Sequence, residues 1–147
     1  METKPIWKLE WNENLSMFLP EIDAEHQRFI LLINQLNETI AARKDIGDIK
    51  KCMRAIMDDA AAHFAHEEAL FREWRYPSAE EHAKWHAQIT QALSSIMDGL
   101  ERGMSEYECI EAGLKIKQVL IQHLLTEDMK YRDFFLASDA IPKGERF

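Results

Sequence analysis

The stretch that decides the fold lies at residues 63–68 and reads His63-Phe64-Ala65-His66-Glu67-Glu68. Around it, the residues of one face recur at alternating steps of four and three, the spacing of a buried seam in a helical bundle. This seam consists of Ile49, Met53, Ile56, Ala60, His63, Glu67, Leu70 and Trp74. His63 and Glu67 therefore take the places of apolar residues one helical turn apart, and we expect both side chains to point into the interior.

A carboxylate in an apolar interior requires a compensating positive charge or strong hydrogen bonds. Without them, burial costs several kcal/mol or forces the carboxylate to take up a proton. No lysine or arginine occupies the seam that contains Glu67. The compensating charge must therefore come from elsewhere in the chain.

The composition favours one all-α domain. The 147 residues suffice for a single core that buries roughly two-thirds of the unfolded surface. Only five glycines and four prolines occur, whereas residues of high helix propensity are abundant. The formal net charge of −8 and the lack of a basic cluster argue against nucleic-acid binding.

The cysteine spacing and the lengths of the apolar runs indicate the cellular compartment of the protein. Cys52 and Cys109 stand singly without CxxC spacing, so we expect free thiols in a reducing compartment, and neither a zinc finger nor a redox pair. The first residues lack the basic start and apolar centre of a signal peptide. No apolar run approaches the roughly 18 residues of a membrane span. We therefore expect a cytoplasmic protein with no membrane span.

The predicted architecture is an up-down-up-down antiparallel four-helix bundle with an extended N-terminal arm. One domain covers residues 1–147, with the arm at 1–20, helices at about 21–43, 48–75, 79–102 and 106–134, and a loose tail at 135–147. The aromatic residues of the arm are expected to lie against the helices. Ser78 and Ser105, each followed three residues later by Glu, predict capping boxes at the starts of helices three and four. The short connections require antiparallel packing.

Seven polar residues on the four helices are predicted to meet at one depth in this bundle. Three of them lie near the starts of helices one and three, and four lie toward the ends of helices two and four. In an up-down bundle, these starts and these ends all lie at the same end of the bundle. Their average depth is roughly 10 Å from that end at about 1.5 Å per residue. They are His26, His63, Glu67, His82, His86, His123 and Asp128. One seam histidine is more often a hydrogen-bonded core residue, but five at one depth beside a carboxylate indicate a bound metal ion.

Residues that lie beside the seams are not predicted to bind the metal ion directly. His66 flanks the seam and is expected to be a surface residue or to support a ligand from outside, and Glu68 is expected to point to solvent. The stretch lacks the second histidine of a zinc protease motif, which disfavours that class. On helix four, geometry alone favours Glu127 over Asp128, because Asp128 lies about 140° around an ideal helix from His123.

A wider set of residues carries a family resemblance. The set contains Trp11, Leu15, Ile22-Asp23-Ala24-Glu25-His26, the stretch 63–68, Tyr76-Pro77, His82-Ala83-Lys84-Trp85-His86, His123 and Asp128. Nearly the whole chain resembles the hemerythrin family in its bacterial single-domain form. The departures from the family pattern are small, and none of them changes a residue of the proposed ligand set. Glu25 stands where a glutamine often precedes the first histidine, Met17-Phe18 replaces a commoner small or glycine-containing pair, and Leu124 follows His123 where isoleucine is usual.

The resemblance implies a non-haem di-iron centre that binds dioxygen. It implies that His82, His86 and His123 hold one iron, that His26 and His63 hold the other, and that Glu67 and Asp128 bridge them. The resemblance thus selects Asp128 over Glu127. This choice leads to the hypothesis that helix four widens by one residue near His123, as a π-bulge that brings residues i and i+5 into phase.

The implied coordination leaves one position free. Two six-coordinate irons need twelve bonds, of which the imidazoles supply five, the two bridging carboxylates four, and a bridging oxo or hydroxo group two. The free position falls on the iron held by His26 and His63, where dioxygen is expected to bind. Glu-x-x-His pairs of ferritin-like oxygenases are absent from the seams, and no acid, base or nucleophile lines up beside the vacancy. We therefore do not expect an enzyme.

Three roles are compatible with such a centre. The first interpretation is a monomeric oxygen carrier, store or supplier, with Fe2+ and Fe3+ as the metal states, dioxygen as the ligand and an oxygen-consuming enzyme as a candidate partner. The second is an oxygen sensor or interaction module whose ligand state alters a contact with a partner. The third is a role in iron handling, iron-centre repair, or the removal of nitric oxide or peroxide.

Overall fold

Four helical rods make up most of the described chain. The computed structural model describes residues 8–137. The helices are α1 (Pro20–Ala41), α2 (Ile46–Trp74), α3 (Ala79–Arg102) and α4 (Glu106–His123). After α4 the chain continues as a π-helical turn (Leu124–Asp128) and then as α5 (Met129–Ala137) without a break, so these three elements form the fourth rod. A short 3-10 turn, Glu13–Leu15, precedes α1.

The rods pack side by side with alternating directions. Helix α1 contacts α2 and α4, and α3 contacts the same two helices. Because the connections between rods are short, neighbouring rods run in opposite directions. Residues 8–137 contain no strand. The predicted all-α, up-down-up-down antiparallel four-helix bundle is therefore confirmed.

Helix α2 begins earlier than predicted because Asp45 caps it. The Asp45 carboxylate accepts a hydrogen bond of 3.0 Å from the backbone N–H of Asp48. Ile46 and Gly47 therefore belong to the helix and not to the connection that precedes it. Helix α2 ends at Trp74, after which Arg75 adopts a left-handed conformation with φ of 55°.

One of the two predicted capping boxes is present. At the start of α4, the Ser105 hydroxyl accepts from the backbone N–H of Glu108, and the Glu108 carboxylate accepts from the backbone N–H of Ser105, both at 3.1 Å. The box predicted at Ser78 is wrong, because the Ser78 side chain makes no capping hydrogen bond. With φ of −98° and ψ of 19°, Ser78 lacks the extended backbone that directs a capping hydroxyl toward helical N–H groups.

Two apolar clusters hold the rods together on either side of a polar layer. The first cluster contains Ile33, Met53, Ile56, Leu93 and Ile116, and the second contains Met17, Ile22, Phe71, Trp74 and Tyr131. Along the rods, the seven predicted polar residues lie between members of these clusters. Full burial of one such side chain contributes about 1.5–3 kcal/mol. The clusters therefore fix the rotation of each rod at the depth of the polar layer.

The part of the arm that the structure describes lies against the bundle. The Asn34 side chain pairs with the backbone of Leu9 through hydrogen bonds of 2.8 and 2.9 Å. The Asp23 carboxylate accepts a hydrogen bond of 2.7 Å from the backbone N–H of Met17, whose side chain is fully buried. Phe18 keeps 41% of its surface exposed, so this aromatic residue of the arm is only partly covered.

The remaining predictions on the termini fall partly outside the described residues. Trp7 belongs to residues 1–7, and most of the predicted tail belongs to residues 138–147, neither of which the structure describes. Residues 135–137 are helical and belong to α5. Within residues 8–137, no helix combines the length and the apolar character that a membrane crossing requires.

Candidate metal centre

The structure brings all seven predicted site residues together in the polar layer. Each rod contributes at least one of them, and the relative exposure of their side chains does not exceed 7%. Helix α1 provides His26, α2 provides His63 and Glu67, α3 provides His82 and His86, α4 provides His123, and the π-helical turn provides Asp128. The predicted common depth of these residues is thus present in the folded chain.

The seven residues form two groups that share both carboxylates. The three-histidine group contains Glu67, His82, His86, His123 and Asp128, and the two-histidine group contains His26, His63, Glu67 and Asp128. Within each group, the candidate ligand atoms lie within 4.8 Å of one another. Both groups are therefore small enough for their atoms to meet around one cation each.

Each carboxylate turns one oxygen to each group. Glu67 Oε1 lies 3.0 Å from His86 Nε2, whereas Glu67 Oε2 lies 3.3 Å from His63 Nε2. Asp128 Oδ1 lies 3.1 Å from the Nε2 atoms of His82 and His123, whereas Asp128 Oδ2 lies 3.3 Å from His26 Nε2. This is the arrangement that two bridging carboxylates require.

Buried polar atoms without hydrogen bonds point to the same conclusion. His86 Nε2 and Glu67 Oε1 lie 3.0 Å apart, yet neither atom makes a hydrogen bond, and Asp128 Oδ1 is likewise unsatisfied. A buried polar atom without a partner costs about 1–3 kcal/mol, and more if it is charged. Neutral imidazole nitrogens and carboxylate oxygens suit divalent and trivalent iron, so the donor set fits a pair of such cations.

The electrostatics of the cluster keep both carboxylates charged. Burial raises the pKa of Glu67, but the nearby charge of His63 and the close approach of three imidazoles outweigh it and hold that pKa well below its ordinary value. Burial and the charge of Glu67 also raise the pKa of Asp128, but the close approach of the His123, His26 and His82 imidazoles outweighs both effects and lowers it. Positive charge must therefore accompany these two anions in the interior.

In the metal-free chain, the histidines supply part of that charge. Burial lowers the pKa of His63, but the charge of Glu67 and a hydrogen bond with Glu25 outweigh it and raise the pKa to about 10. Burial likewise lowers the pKa of His82, but the nearby carboxylates of Asp128 and Glu67 outweigh it and raise the pKa to about 9. A bound cation would replace these protons, because a ligating imidazole must be neutral.

The π-helical turn explains why Asp128 and not Glu127 faces the cluster. The hypothesis of a widened helix near His123 is confirmed, because residues Leu124–Asp128 form a π-helical turn. The extra residue brings Asp128 inward, where its side chain is 3% exposed. Glu127 instead pairs with Lys130 at 3.1 Å. Regular helix geometry had favoured the wrong residue.

Outer hydrogen bonds support the cluster, and sequence reasoning missed several of them. Glu68 does not merely face solvent as predicted, because its carboxylate accepts a hydrogen bond of 2.9 Å from His86 Nδ1. The Glu25 carboxylate lies 2.6 Å from His63 Nδ1 and 2.7 Å from His66 Nδ1, so His66 supports a cluster residue from outside. No spacing rule on a single helix identifies these contacts, since each joins two different rods.

Tyr131 is a further supporting residue that the sequence could have revealed. Its hydroxyl donates a hydrogen bond of 2.5 Å to Glu67 Oε2, and its side chain is fully buried. Burial, together with the charges of Glu67 and Asp128, raises the pKa of this phenol well above its ordinary value, so the hydroxyl remains a donor. Tyr131 lies three residues after Asp128, which places it on the same inward face.

A small apolar cavity adjoins the two-histidine group. Its volume is about 30 Å³, and apolar side chains form most of its wall, with His26, His63, His123 and Asp128 as the polar part. The apolar lining residues are Phe29, Ile30, Ile33, Phe64, Leu120, Ile121 and Leu124. Since one water molecule needs about 10–15 Å³ on this measure, the cavity can hold a molecule of two atoms.

The fold and the cluster define a class: four-helix-bundle proteins with a buried set of histidines and carboxylates able to bind metal. The profile of the hemerythrin HHE cation binding domain matches residues 17–134, which covers all seven residues. The chain belongs to the hemerythrin family.

Individual relatives show moderate similarity over most of the chain. A bacteriohemerythrin from Stenotrophomonas maltophilia (strain R551-3) is 25% identical over 127 residues, which span 85% of this chain and 80% of the relative. Myohemerythrin-1 from Phascolopsis gouldii is 25% identical over 122 residues, which span 83% of this chain and 90% of the relative. A hemerythrin-like protein from Naegleria gruberi is 27% identical over 122 residues, with 83% and 89% covered.

Proposed function

We propose that this protein binds dioxygen reversibly at a di-iron centre. The observation that carries the proposal is the orientation of the two carboxylates. Glu67 and Asp128 each place one oxygen next to the three-histidine group and the other oxygen next to the two-histidine group. Two cations in these groups would share both carboxylates. Membership of the hemerythrin family supports iron as the cation.

In this proposal, the two sides of the cluster have different roles. His82, His86 and His123 would hold one iron, His26 and His63 would hold the other, and Glu67 and Asp128 would supply an oxygen to each. The iron pair, with an oxo or hydroxo bridge, would supply reversible dioxygen binding when bound. The chain offers three histidines to one iron and two to the other, so the two-histidine group would leave room for a ligand from outside the chain.

The apolar cavity supports dioxygen as the ligand. It adjoins His26 and His63, and its apolar wall favours a small uncharged molecule over water or an ion. Exclusion of water and protons from such a site slows irreversible oxidation. The wall therefore supports reversible uptake.

The residues around the cavity favour binding over catalysis. The titratable groups in its lining are His26, His63, His123 and Asp128, all of which are proposed iron ligands. General acid–base or nucleophilic catalysis would need a further group within reach of the bound molecule. We therefore propose an oxygen carrier, store or supplier, and not an enzyme itself. We further propose that it acts in the cytoplasm as a monomer and can serve an oxygen-consuming enzyme.

The test is iron analysis followed by an anaerobic optical titration with dioxygen. We expect two irons per chain and an absorption change that appears on oxygenation, disappears on removal of oxygen and returns over repeated cycles. Fewer than two irons would contradict the di-iron centre. An irreversible change, or turnover of peroxide or nitric oxide without reversible oxygenation, would contradict the proposed role.

A further inference from the structure

A line of charged and imidazole groups joins the protein surface to the two-histidine group. Glu21, whose side chain is 85% exposed, lies 3.7 Å from His66 Nε2. The other nitrogen of His66 lies 2.7 Å from Glu25 Oε2, and Glu25 Oε1 lies 2.6 Å from His63 Nδ1. His63 Nε2 then faces the centre of the cluster. A single carboxylate, that of Glu25, thus joins a proposed iron ligand to a histidine outside the ligand set.

The carboxylates outside the cluster are distributed one to each histidine group. Glu25 contacts His63 in the two-histidine group, and Glu68 contacts His86 in the three-histidine group. Among the described residues, the Nδ1 atoms of His26 and His123 have no hydrogen-bond partner. The two outer carboxylates also differ. Glu25 lies within hydrogen-bond distance of two histidines, whereas within residues 8–137 the Glu68 carboxylate has such a contact to one histidine, His86.

A carboxylate at Nδ1 affects a metal-binding imidazole in two ways. It fixes the proton on Nδ1, so that the lone pair on Nε2 faces the metal, and it holds the ring in one orientation. It also makes the imidazole a stronger electron donor, which stabilises the more highly charged state of the metal. A neutral amide oxygen in the same place would preserve the first effect and weaken the second.

We propose that Glu25 is a positioning residue that, held by His66, sets the reduction potential and anion affinity of the iron on the two-histidine side. This inference rests on the proposed di-iron function. Of the two roles that the sequence left open for His66, a surface residue or a support from outside, it selects the second and names Glu25 as the partner. It also assigns Glu68 the corresponding role toward the other iron, through its contact with His86. That iron is not the one proposed to bind the external ligand.

The test uses azide as an anionic probe of the oxidised protein, together with the reduction potential. Glu25→Gln keeps an acceptor for His63 but removes the negative charge. We therefore expect a higher reduction potential and tighter azide binding. The change should be about tenfold, the size of the smaller changes in metal affinity or activity that follow mutation of outer partners of metal ligands. Mere structural damage would instead weaken azide binding, so the sign of the change separates the two explanations.

Three further variants complete the comparison. Glu68→Gln should change azide affinity less than Glu25→Gln, because its histidine belongs to the other iron. Glu73→Gln removes an equal charge from an exposed position of α2 and should leave the affinity unchanged. His66→Ala leaves Glu25 charged and removes one of its two histidine partners, so the carboxylate becomes a stronger acceptor for His63. The affinity should therefore shift in the direction opposite to that of Glu25→Gln, and by a smaller factor.

The outcomes separate this inference from the proposed function. Iron content and the affinity of the metal-free chain for Co2+ are measured for every variant, so that loss of metal is not mistaken for a change in potential. With two irons bound, unchanged or weaker azide binding in Glu25→Gln would overturn the inference and leave the di-iron function standing. If Glu25→Gln loses iron, the sign measured in His66→Ala decides. A parent protein without iron would overturn both proposals.

Discussion

At the scale of single residues, the cluster depends on the two carboxylates that belong to both histidine groups. Glu67 is completely buried and lies close to His63, His82 and His86 as well as to the Tyr131 hydroxyl. A histidine serves one group only, so its loss removes one donor from one cation. The loss of Glu67 removes a donor from both, and it also leaves the remaining polar atoms with fewer partners.

Replacement of Glu67 by Ala should therefore abolish binding of the iron pair. The reason is that both cations lose an anionic oxygen at once. The measurement is iron per chain after anaerobic reconstitution, with a circular dichroism spectrum to show that the bundle remains helical. His66→Ala is the matched control on the same helix, because His66 lies outside both groups, and this variant should keep two irons. Equal iron retention in the two variants would contradict the ligand assignment.

The Tyr131 hydroxyl should stabilise the metal-free bundle. Its bond to Glu67 is 2.5 Å long and satisfies a buried charge, and hydrogen bonds to charged groups contribute about 1.5–3 kcal/mol. Tyr131→Phe should lower the free energy of unfolding by about that amount in urea denaturation of the metal-free protein, while two irons still bind on reconstitution. Tyr107→Phe, at a position that is 69% exposed, should change it by less than about 0.5 kcal/mol. Similar values for the two variants would show that the buried hydroxyl contributes nothing.

At the scale of elements, the π-helical turn is the feature that the seam pattern alone could not supply. The four-and-three spacing predicted the inward faces of all four rods because burial imposes the helical period on the sequence. That same spacing placed Glu127 on the inward face, since it assumes a regular helix. Only the resemblance pointed to Asp128, and the structure shows the extra residue that accounts for it.

Deletion of Leu125 should convert the π-helical turn into regular α-helix without disturbing the site. A π-helical turn is equivalent to one inserted residue, and Leu125 is 52% exposed, so its removal costs little packing. Asp128 then follows His123 by four residues and remains on the inward face. We expect two irons per chain and a free energy of unfolding no lower than that of the parent, measured in urea without metal.

Deletion of Lys115 provides the control for this experiment. Lys115 is also exposed, but it lies in a regular part of α4, so its loss rotates the residues on one side by about 100° relative to those on the other. Inward residues such as Ile116 and Leu120 would leave the core, at a cost of about 2–5 kcal/mol for each large side chain lost. If deletion of Leu125 proved equally harmful, the π-helical turn would do more than set the register of Asp128.

At the scale of the whole molecule, the features that periodicity determines could be predicted from the sequence, whereas those that depend on the rotation of one rod against another could not. The seams, the helix lengths and the short connections together predicted the bundle and the shared depth of the seven residues. The contacts of Glu25 with His63 and of Glu68 with His86 each cross between rods, where a small rotation changes which side chains meet. Ser78 shows the same limit locally, because its sequence fits a capping box but its backbone does not.

The two apolar clusters should keep the bundle folded when the metal is removed, but with lower stability. They bury large side chains on both sides of the polar layer without help from any cation. A cation that binds only the folded chain raises the free energy of unfolding by about 2.7 kcal/mol when it is present at about 100 times its dissociation constant. This change corresponds to roughly 10 °C in the midpoint of thermal unfolding.

The measurement is circular dichroism against temperature under anaerobic conditions, with and without Fe2+. The chelated protein should show the same helical signal at low temperature and an earlier transition, and Glu67→Ala should show no shift on addition of iron. A parent protein whose transition does not move when iron is plentiful would mean that the buried carboxylates and histidines compensate one another alone, and that the cluster needs no cation.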